Sequence, residues 1–460
     1  MLLIKCCIRI KHVILCLFLE SAMKLIIEAT KEMLFCAQRS SEWCVIDARS
    51  SDIYMGWKHG KAGHIPYAKF FSAQWLDARW RESAKDYEVR LKIQMESQGI
   101  RPDKNIIVYD ENALDAEIVL NYFSENGFDR LFYFNLNNWD GDLYKYPNRK
   151  LMMPMWMVND IAQGRGEQYF PGCDIKIFEI SWKEPSEHYL ETHVPGAIHV
   201  DSNEFEVPPM WIMKEDDELI DFAMQYGVTP ETVVIVYGNT RLNFGAAAKL
   251  AVVFRYLGIQ QVYCMNGIIK NWLMEGYPTE AGNVKRQPCR IDKKRYILDR
   301  SHALHMKDVK EILNDPDKGK VIDIRNWKEY IGEESGYPYL DKAGRIPGTQ
   351  WCYYPDHYMT PNVQMGNLEV MLKSWEKAKI NLEKTMAFFC GSASWGAAAC
   401  KTFANVAGFP NATIYEGGWC EWCAYPENPV ETGIPEEYAD YNPEEFHVSE
   451  LITEESCHVM

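Results

Sequence analysis

Short apolar runs rich in branched and aromatic side chains alternate along this chain with longer Ala-rich stretches of helical period, and the alternation recurs three times. In the first round Ile106-Ile107-Val108-Tyr109 leads into Asp110 and a polar stretch, then a helical run ending at Gly127, then Leu131-Phe132-Tyr133-Phe134. In the second, Val233 to Tyr237 is followed by Gly238-Asn239-Thr240, a helix ending at Gly258, and Val262-Tyr263-Cys264. In the third, Met386 to Phe389 is followed by Cys390-Gly391-Ser392, a helix ending at Gly408, and Thr413-Ile414-Tyr415. The short runs predict strands and the periodic stretches predict helices, each closed by a glycine able to adopt the left-handed C-cap conformation.

The copies also open alike. Val45-Ile46-Asp47-Ala48-Arg49 matches Val321-Ile322-Asp323-Ile324-Arg325, and Ile177-Phe178-Glu179-Ile180-Ser181 is the second version, without the arginine. Each opening is followed by a Pro-bearing loop: Gly63-His64-Ile65-Pro66, His193-Val194-Pro195-Gly196-Ala197 and Arg345-Ile346-Pro347-Gly348. Strands alternating with helices predict an α/β fold with a parallel sheet covered on both faces in each copy. The repeat divides the chain into an N-terminal extension over residues 1–23, copies over 24–150, 151–285 and 294–430, and an acidic tail over 431–460 that is expected to be mobile or lightly docked. Linkers are expected at Tyr146 to Met153 and Glu280 to Lys293, where the pattern lapses.

A length of 460 residues accommodates three such units, and 47% apolar with 25% charged residues is ordinary for a soluble globular protein. A formal charge of −16, with no basic block to reverse it locally, argues against nucleic acid as a partner. It leaves small anions open as substrates. The 14 cysteines follow no disulfide framework and read as a reducing compartment. Lys5, Arg9 and Lys11 precede an apolar run from Val13 to Leu19, too short to span a bilayer. Glu20-Ser21-Ala22 is a poor cleavage site and Met23 resembles an ordinary start, so the expectation is a cytoplasmic protein without a transmembrane segment. The alternative is export, with this run as a signal.

In parallel sheets the reactive site lies beyond the carboxyl ends of the strands, where helices begin. Cys390 stands at such a junction, whereas the other copies hold Asp110 and Gly238 or Asn239 there. Asp and Asn at this place serve as helix N-caps. Backbone N–H groups from Gly391 through Ser392, Ala393, Ser394 and Trp395 to Gly396 can converge on one point beside Cys390. The helix terminus adds about half a positive charge there. Both effects favour thiolate, lowering a reference pKa of about 8.5. Cys390 is the expected nucleophile and the loop the expected anion cradle, with no metal and no cofactor needed.

Two longer stretches then carry a family resemblance. Tyr189-Leu190-Glu191-Thr192-His193-Val194-Pro195-Gly196-Ala197-Ile198-His199-Val200 fits an amino-side pattern of an aromatic followed by H-[LIV]-P-G-A, and Ala412-Thr413-Ile414-Tyr415-Glu416-Gly417-Gly418-Trp419-Cys420-Glu421-Trp422 fits a carboxyl-side pattern ending G-G-W-x-E-W. With Cys390 these resemble the rhodanese-like sulfurtransferases, over about residues 24 to 430 and most of all the three-domain members. The resemblance implies three tandem domains, each a five-stranded parallel sheet with helices on both faces, the first two inactive and the third catalytic. It implies that Cys390 takes a sulfane sulfur from thiosulfate or a similar donor and passes it, as a persulfide, to a thiophilic acceptor.

The loop departs from the family's usual forms. The thiosulfate type carries basic residues after the cysteine; here it reads Gly391-Ser392-Ala393-Ser394-Trp395, and only Cys390-Gly391-Ser392 matches the mercaptopyruvate type. Weak thiosulfate activity is therefore the expectation. Arg345, which replaces the usual His, either faces the donor anion or forms a structural salt bridge. Trp395 either walls the pocket or packs between domains. Asp323 and Arg325 read as an ion pair fixing a loop, because Asp47 and Arg49 repeat them in a copy without a cysteine. Cys420 and Cys423 have redox-pair spacing without a second pair to complete a zinc site, and Cys420 could act as a resolving thiol. A phosphatase or arsenate reductase would need C-x5-R, and Gly396 occupies the arginine's place. The remaining alternative is a sulfur carrier and protein-binding module that takes its sulfur from a protein donor.

Overall fold

The computed structural model describes residues 26–57, 60–81, 87–183, 185–337, 339–352 and 360–439. The chain divides into two compact units, Met1–Lys145 and Tyr146–Met460. The expected N-terminal extension over residues 1–23 lies outside the described residues, as does the tail beyond Ala439.

The first unit holds a parallel five-stranded sheet in the order β1-β5-β4-β2-β3, built from β1 (Ile27–Glu28), β2 (Trp43–Asp47), β3 (Lys69–Phe70), β4 (Asn105–Asp110) and β5 (Leu131–Asn135). Its central strands are almost wholly buried, as expected when helices cover both faces.

The second unit holds two more parallel sheets with the same relative order. One is β6-β12-β11-β7-β8, from β6 (Met152–Met153), β7 (Ile175–Ser181), β8 (Ile198–Asp201), β11 (Val233–Gly238) and β12 (Val262–Met265). A short antiparallel hairpin, β9 (Glu206–Val207) with β10 (Ile212–Met213), is inserted after β8. The other sheet is β13-β17-β16-β14-β15, from β13 (Ala303–Leu304), β14 (Gly319–Asp323), β15 (Gln350–Trp351), β16 (Thr385–Phe389) and β17 (Ala412–Tyr415). All strand runs predicted from the apolar pattern recur, extended by a residue or two. The three predicted helices run Leu114–Glu125, Arg241–Tyr256 and Trp395–Val406. Gly127, Gly258 and Gly408 follow them with φ of +86°, +84° and +99°.

Two boundaries differ from the sequence reading. The expected linker from Tyr146 to Met153 contains the edge strand β6, which pairs with β12, so the second sheet starts inside it. Tyr146 itself is buried and donates its hydroxyl to Gly366 O at 2.8 Å. The acidic tail is docked as far as Ala439: Glu431 forms an antiparallel bridge with Arg345, Gly433 N–H donates to Ile331 O at 2.7 Å, and Tyr438 packs among Trp327, Tyr330, Ile331 and Trp351.

The second and third copies meet through helices Arg241–Tyr256 and Trp395–Val406. Gly245 makes this approach close: a Cβ there would lie 3.2 Å from Trp395 Cβ and O. Phe244 and Phe403 stack along the same seam with ring centroids 5.8 Å apart.

Candidate active site

Strand register places Cys390 among its counterparts. Phe389 lies opposite Asp323, Tyr237 opposite Glu179 and Tyr109 opposite Asp47. The residues that follow, Cys390, Gly238 and Asp110, therefore share one position, and the alternative of Gly238 or Asn239 resolves to Gly238. Asp110 is not the N-cap expected of it, since Ala113 holds that position, but from three residues upstream its carboxyl accepts from Ala113 N–H at 2.7 Å and Ala116 N–H at 3.0 Å. In the second copy the cap is Thr240, whose Oγ1 accepts from Asn243 N–H at 3.1 Å. There the helix presses on the strand end so closely that a Cβ on Gly238 would come within 2.3 Å of the Asn243 backbone. Only the third copy holds a thiol at this position.

The loop after Cys390 curls through two non-glycine residues in the left-handed region, Ala393 (φ +56°) and Ser394 (φ +53°), before the helix begins at Trp395. Such geometry costs energy and persists where surroundings over-determine it. Here Ser394 Oγ donates to Tyr415 O at 2.8 Å. Trp419 N–H donates to Cys390 O at 2.9 Å, and Cys420 N–H to Gly391 O at 2.7 Å. The G-G-W motif thus clamps the loop that follows Cys390. Gly418 (φ +58°) is required there, because a Cβ would sit 2.6 Å from Cys390 O.

The Cys390 thiol is half-buried and lies 3.5 Å from Ser392 O, to which it donates. Burial pushes it up to about 11, while the amides of Ala397 and Gly396 and the charge of Lys249 pull it down. This runs against the expectation of a ready thiolate: desolvation outweighs the amides, and of the expected stretch Gly391 to Gly396 only the Gly396 amide, joined by that of Ala397, lowers the thiol. The cradle favours an anion on sulfur once one forms.

The loop's residues have divided roles. Gly391 lies against the Tyr337 ring, which a Cβ would enter at 1.8 Å. Ser392 Oγ is 2.8 Å from the Tyr339 hydroxyl. Tyr337 and Tyr339 have centroids 5.6 Å apart, and Trp211, from the hairpin of the second copy, lies 5.6 Å from Tyr339. Trp395 is buried between the copies, its Nε1 donating to Glu206 Oε1 at 3.2 Å. Its ring packs between domains, the second of the two readings its sequence position allowed.

Arg345 is engaged by the tail. Its Nη1 donates to Gly433 O at 2.6 Å, Nη2 is 3.3 Å from Glu431, and the guanidinium covers Tyr330 at 5.3 Å. The same place holds His64 stacked on Tyr54 and His193 stacked on Tyr189 in the other copies. These contacts match the structural salt bridge and give no support to a donor-facing role. Asp323 pairs with Arg325 at 2.6 Å, and Arg325 Nη2 also reaches Gly344 O at 2.7 Å. Asp47, Arg49 and Gly63 repeat that arrangement. Cys420 and Cys423 are both free thiols, pushed by burial to about 11 and about 12.

Sequence reasoning missed Tyr337, Tyr339, Trp211, Glu206 and Lys249. The last had a signal: a lone lysine in an Ala-rich apolar helix, buried completely in the structure.

Comparison with known proteins agrees with this architecture. The family described as "Rhodanese-like domain" matches residues 171–275 and 305–425, the second and third copies. The thiosulfate sulfurtransferase YnjE of Escherichia coli is 29% identical over 405 residues, covering 84% of this chain and 88% of that protein. The anaerobic ergothioneine biosynthesis enzyme from Chlorobium limicola, solved with its natural substrate trimethyl histidine, superposes with a TM-score of 0.79 at 26% identity, covering 89% of this chain and 100% of that one. EanB, solved with ergothioneine covalently linked to a cysteine persulfide, gives 0.80 at 26%, with the same coverage. No helix among the described residues is long and apolar enough to cross a membrane. Matching motifs, sheet order and a cysteine held over a helix terminus all converge, and the chain belongs to the rhodanese-like sulfurtransferase family.

Proposed function

We propose that this chain is a three-domain sulfurtransferase, Met1–Lys145 holding the first rhodanese-like domain, and that Cys390 carries the sulfur as a persulfide. The observation that carries the reading is the position of Cys390: it alone, among three equivalent strand ends, puts a nucleophile beneath the amides of Gly396 and Ala397. The Cys390 thiolate attacks the outer sulfur of a donor such as thiosulfate. The donor's S–S bond breaks and sulfite leaves with the electron pair. The resulting Cys390 persulfide anion rests on the loop amides. A nucleophilic acceptor then attacks the terminal sulfur and releases the Cys390 thiolate. A thiol raised to about 11 is a sluggish first nucleophile, which supports weak turnover with thiosulfate. The test is sulfur transfer from thiosulfate to cyanide: slow turnover by the wild type and none by Cys390→Ala supports the reading, and equal rates for both overturn it.

A second reading concerns the acceptor. Tyr337, Tyr339 and Trp211 cluster beside Ser392, and aromatic faces attract quaternary ammonium groups. The structural relatives that hold trimethyl histidine or ergothioneine make a trimethylammonium-bearing imidazole the favoured organic acceptor. In that transfer the persulfide S–S bond breaks, a C–S bond replaces a ring C–H, and the displaced proton returns Cys390 to the thiol. Incubation of persulfidated protein with trimethyl histidine, followed by mass analysis of the small molecule, tests it: a 32 Da gain (~one sulfur) supports the reading and no gain overturns it.

A further inference from the structure

The loop after Cys390 carries no cation, and Arg345 is held by the tail, so the anionic sulfur needs its positive charge from elsewhere. Lys249 is fully buried, and its Nζ has no hydrogen-bond partner among the described residues. A buried amine with no partner is costly to keep, so its presence points to an anion that joins it. Lys249 lies one helical turn beyond Gly245, the residue pressed against Trp395, so both share the helix face turned to the catalytic loop. Helical side chains lean toward the N-terminus, which carries the ammonium back toward Trp395 and the strand end.

We infer that Lys249, supplied by the second copy, is the cation that holds the anionic sulfur of Cys390, shared with the neighbouring carboxyl of Glu206. This rests on the persulfide reading above. Glu206 sits on the hairpin strand and accepts from Trp395 Nε1, so the loop and the carboxyl are joined across two copies, and the charge of Lys249 acts on both Glu206 and Cys390. The charged groups facing it are few. Glu329 and the Tyr339 hydroxyl look toward Cys390, while Glu416 and Asp201 look toward Glu206. The three carboxyl groups disfavour added negative charge whenever they are ionised, the Tyr339 hydroxyl stays neutral, and Lys249 is the cation set against them. Burial and those neighbours hold Glu206 protonated up to about 8, so below that pH Lys249 serves the sulfur alone, and above it, where the thiol titrates, the carboxylate competes for the ammonium. The otherwise inactive second copy thus contributes an electrostatic residue to the third copy's site.

The test is alkylation of Cys390 in the full chain, followed by peptide mass spectrometry across pH. Neutral iodoacetamide and anionic iodoacetate are compared on wild type, Lys249→Met and Glu206→Gln. The methionine is close in volume and removes a buried charge, so its melting temperature is expected not to fall. In Lys249→Met the pH midpoint of alkylation should rise by about one unit, roughly a tenfold loss of thiolate at fixed pH. The iodoacetate to iodoacetamide rate ratio should fall with it. Glu206→Gln should move the midpoint the other way, because the ammonium then serves sulfur alone; this arm stands even where Lys249→Met does not fold. An unchanged midpoint and ratio in Lys249→Met, or an unchanged or higher midpoint in Glu206→Gln, overturns the assignment. Alkylation needs no sulfur donor, so failure of persulfide formation in the wild type would strike the functional reading and leave this one standing.

Discussion

Trp395 and Glu206, far apart in sequence, meet through an indole N–H to carboxyl hydrogen bond of 3.2 Å. Glu206 is fully buried, and burial pushes it up to about 8, although Lys249 and the Trp395 bond pull it down. The unfolded chain ionises this carboxyl near 4.5, whereas the folded chain keeps it protonated up to about 8. Between those values the unfolded state binds fewer protons, so this group's contribution to stability falls as pH rises. His199 and His302, lowered to about 4 and about 3 by burial, work in the opposite direction below pH 6.5. The difference between wild type and Glu206→Gln isolates the carboxyl. Urea unfolding should show wild type losing stability relative to Glu206→Gln from pH 5 to pH 8, by on the order of 1 kcal/mol or more. A pH-independent difference would contradict the assignment.

Gly391 is fixed by a ring. Its backbone lies against Tyr337 so closely that a methyl group would come within 1.8 Å of the phenol. Gly391→Ala should therefore displace Tyr337 or the loop and lower kcat/KM for sulfur transfer by more than about tenfold. The second substitution Tyr337→Ala, made in the Gly391→Ala background, opens the space and should recover part of the loss. Kinetics on the two variants check both statements.

Arg345 discriminates between two kinds of chemistry. Its contacts with Glu431, Gly433 and Tyr330 predict that Arg345→Ala frees the segment from Glu431 to Tyr438. Limited proteolysis should cut there faster than in wild type, while KM for the sulfur donor changes by less than about twofold. A large rise in KM with an intact tail would instead place the guanidinium on the donor.

Strands, helices and the position of Cys390 were legible because each rests on a local pattern. β16 shows as an unbroken apolar run, its helix as an Ala-rich period, and Cys390 as the one change of chemistry at a repeated position. The role of Glu431 was less legible. It is the counterpart of Tyr144 and Glu280, each bridging the residue at the Pro-bearing loop, but a single bridge leaves no apolar signature. The loss of arginine at Ser181 was visible, and its consequence is a Glu179 carboxyl that burial pushes up to about 7. Trp211, Glu206 and Lys249 reach the site from another copy. Their proximity arises from helix packing at Gly245 and from a hairpin insertion, which no periodicity encodes.

The most direct measurement is intact-protein mass spectrometry after exposure to thiosulfate or 3-mercaptopyruvate, wild type beside Cys390→Ala. The account predicts a gain of ~32 Da, one sulfur, in the wild type and none in the variant. A gain that survives in Cys390→Ala, or no gain in the wild type with either donor, would contradict it.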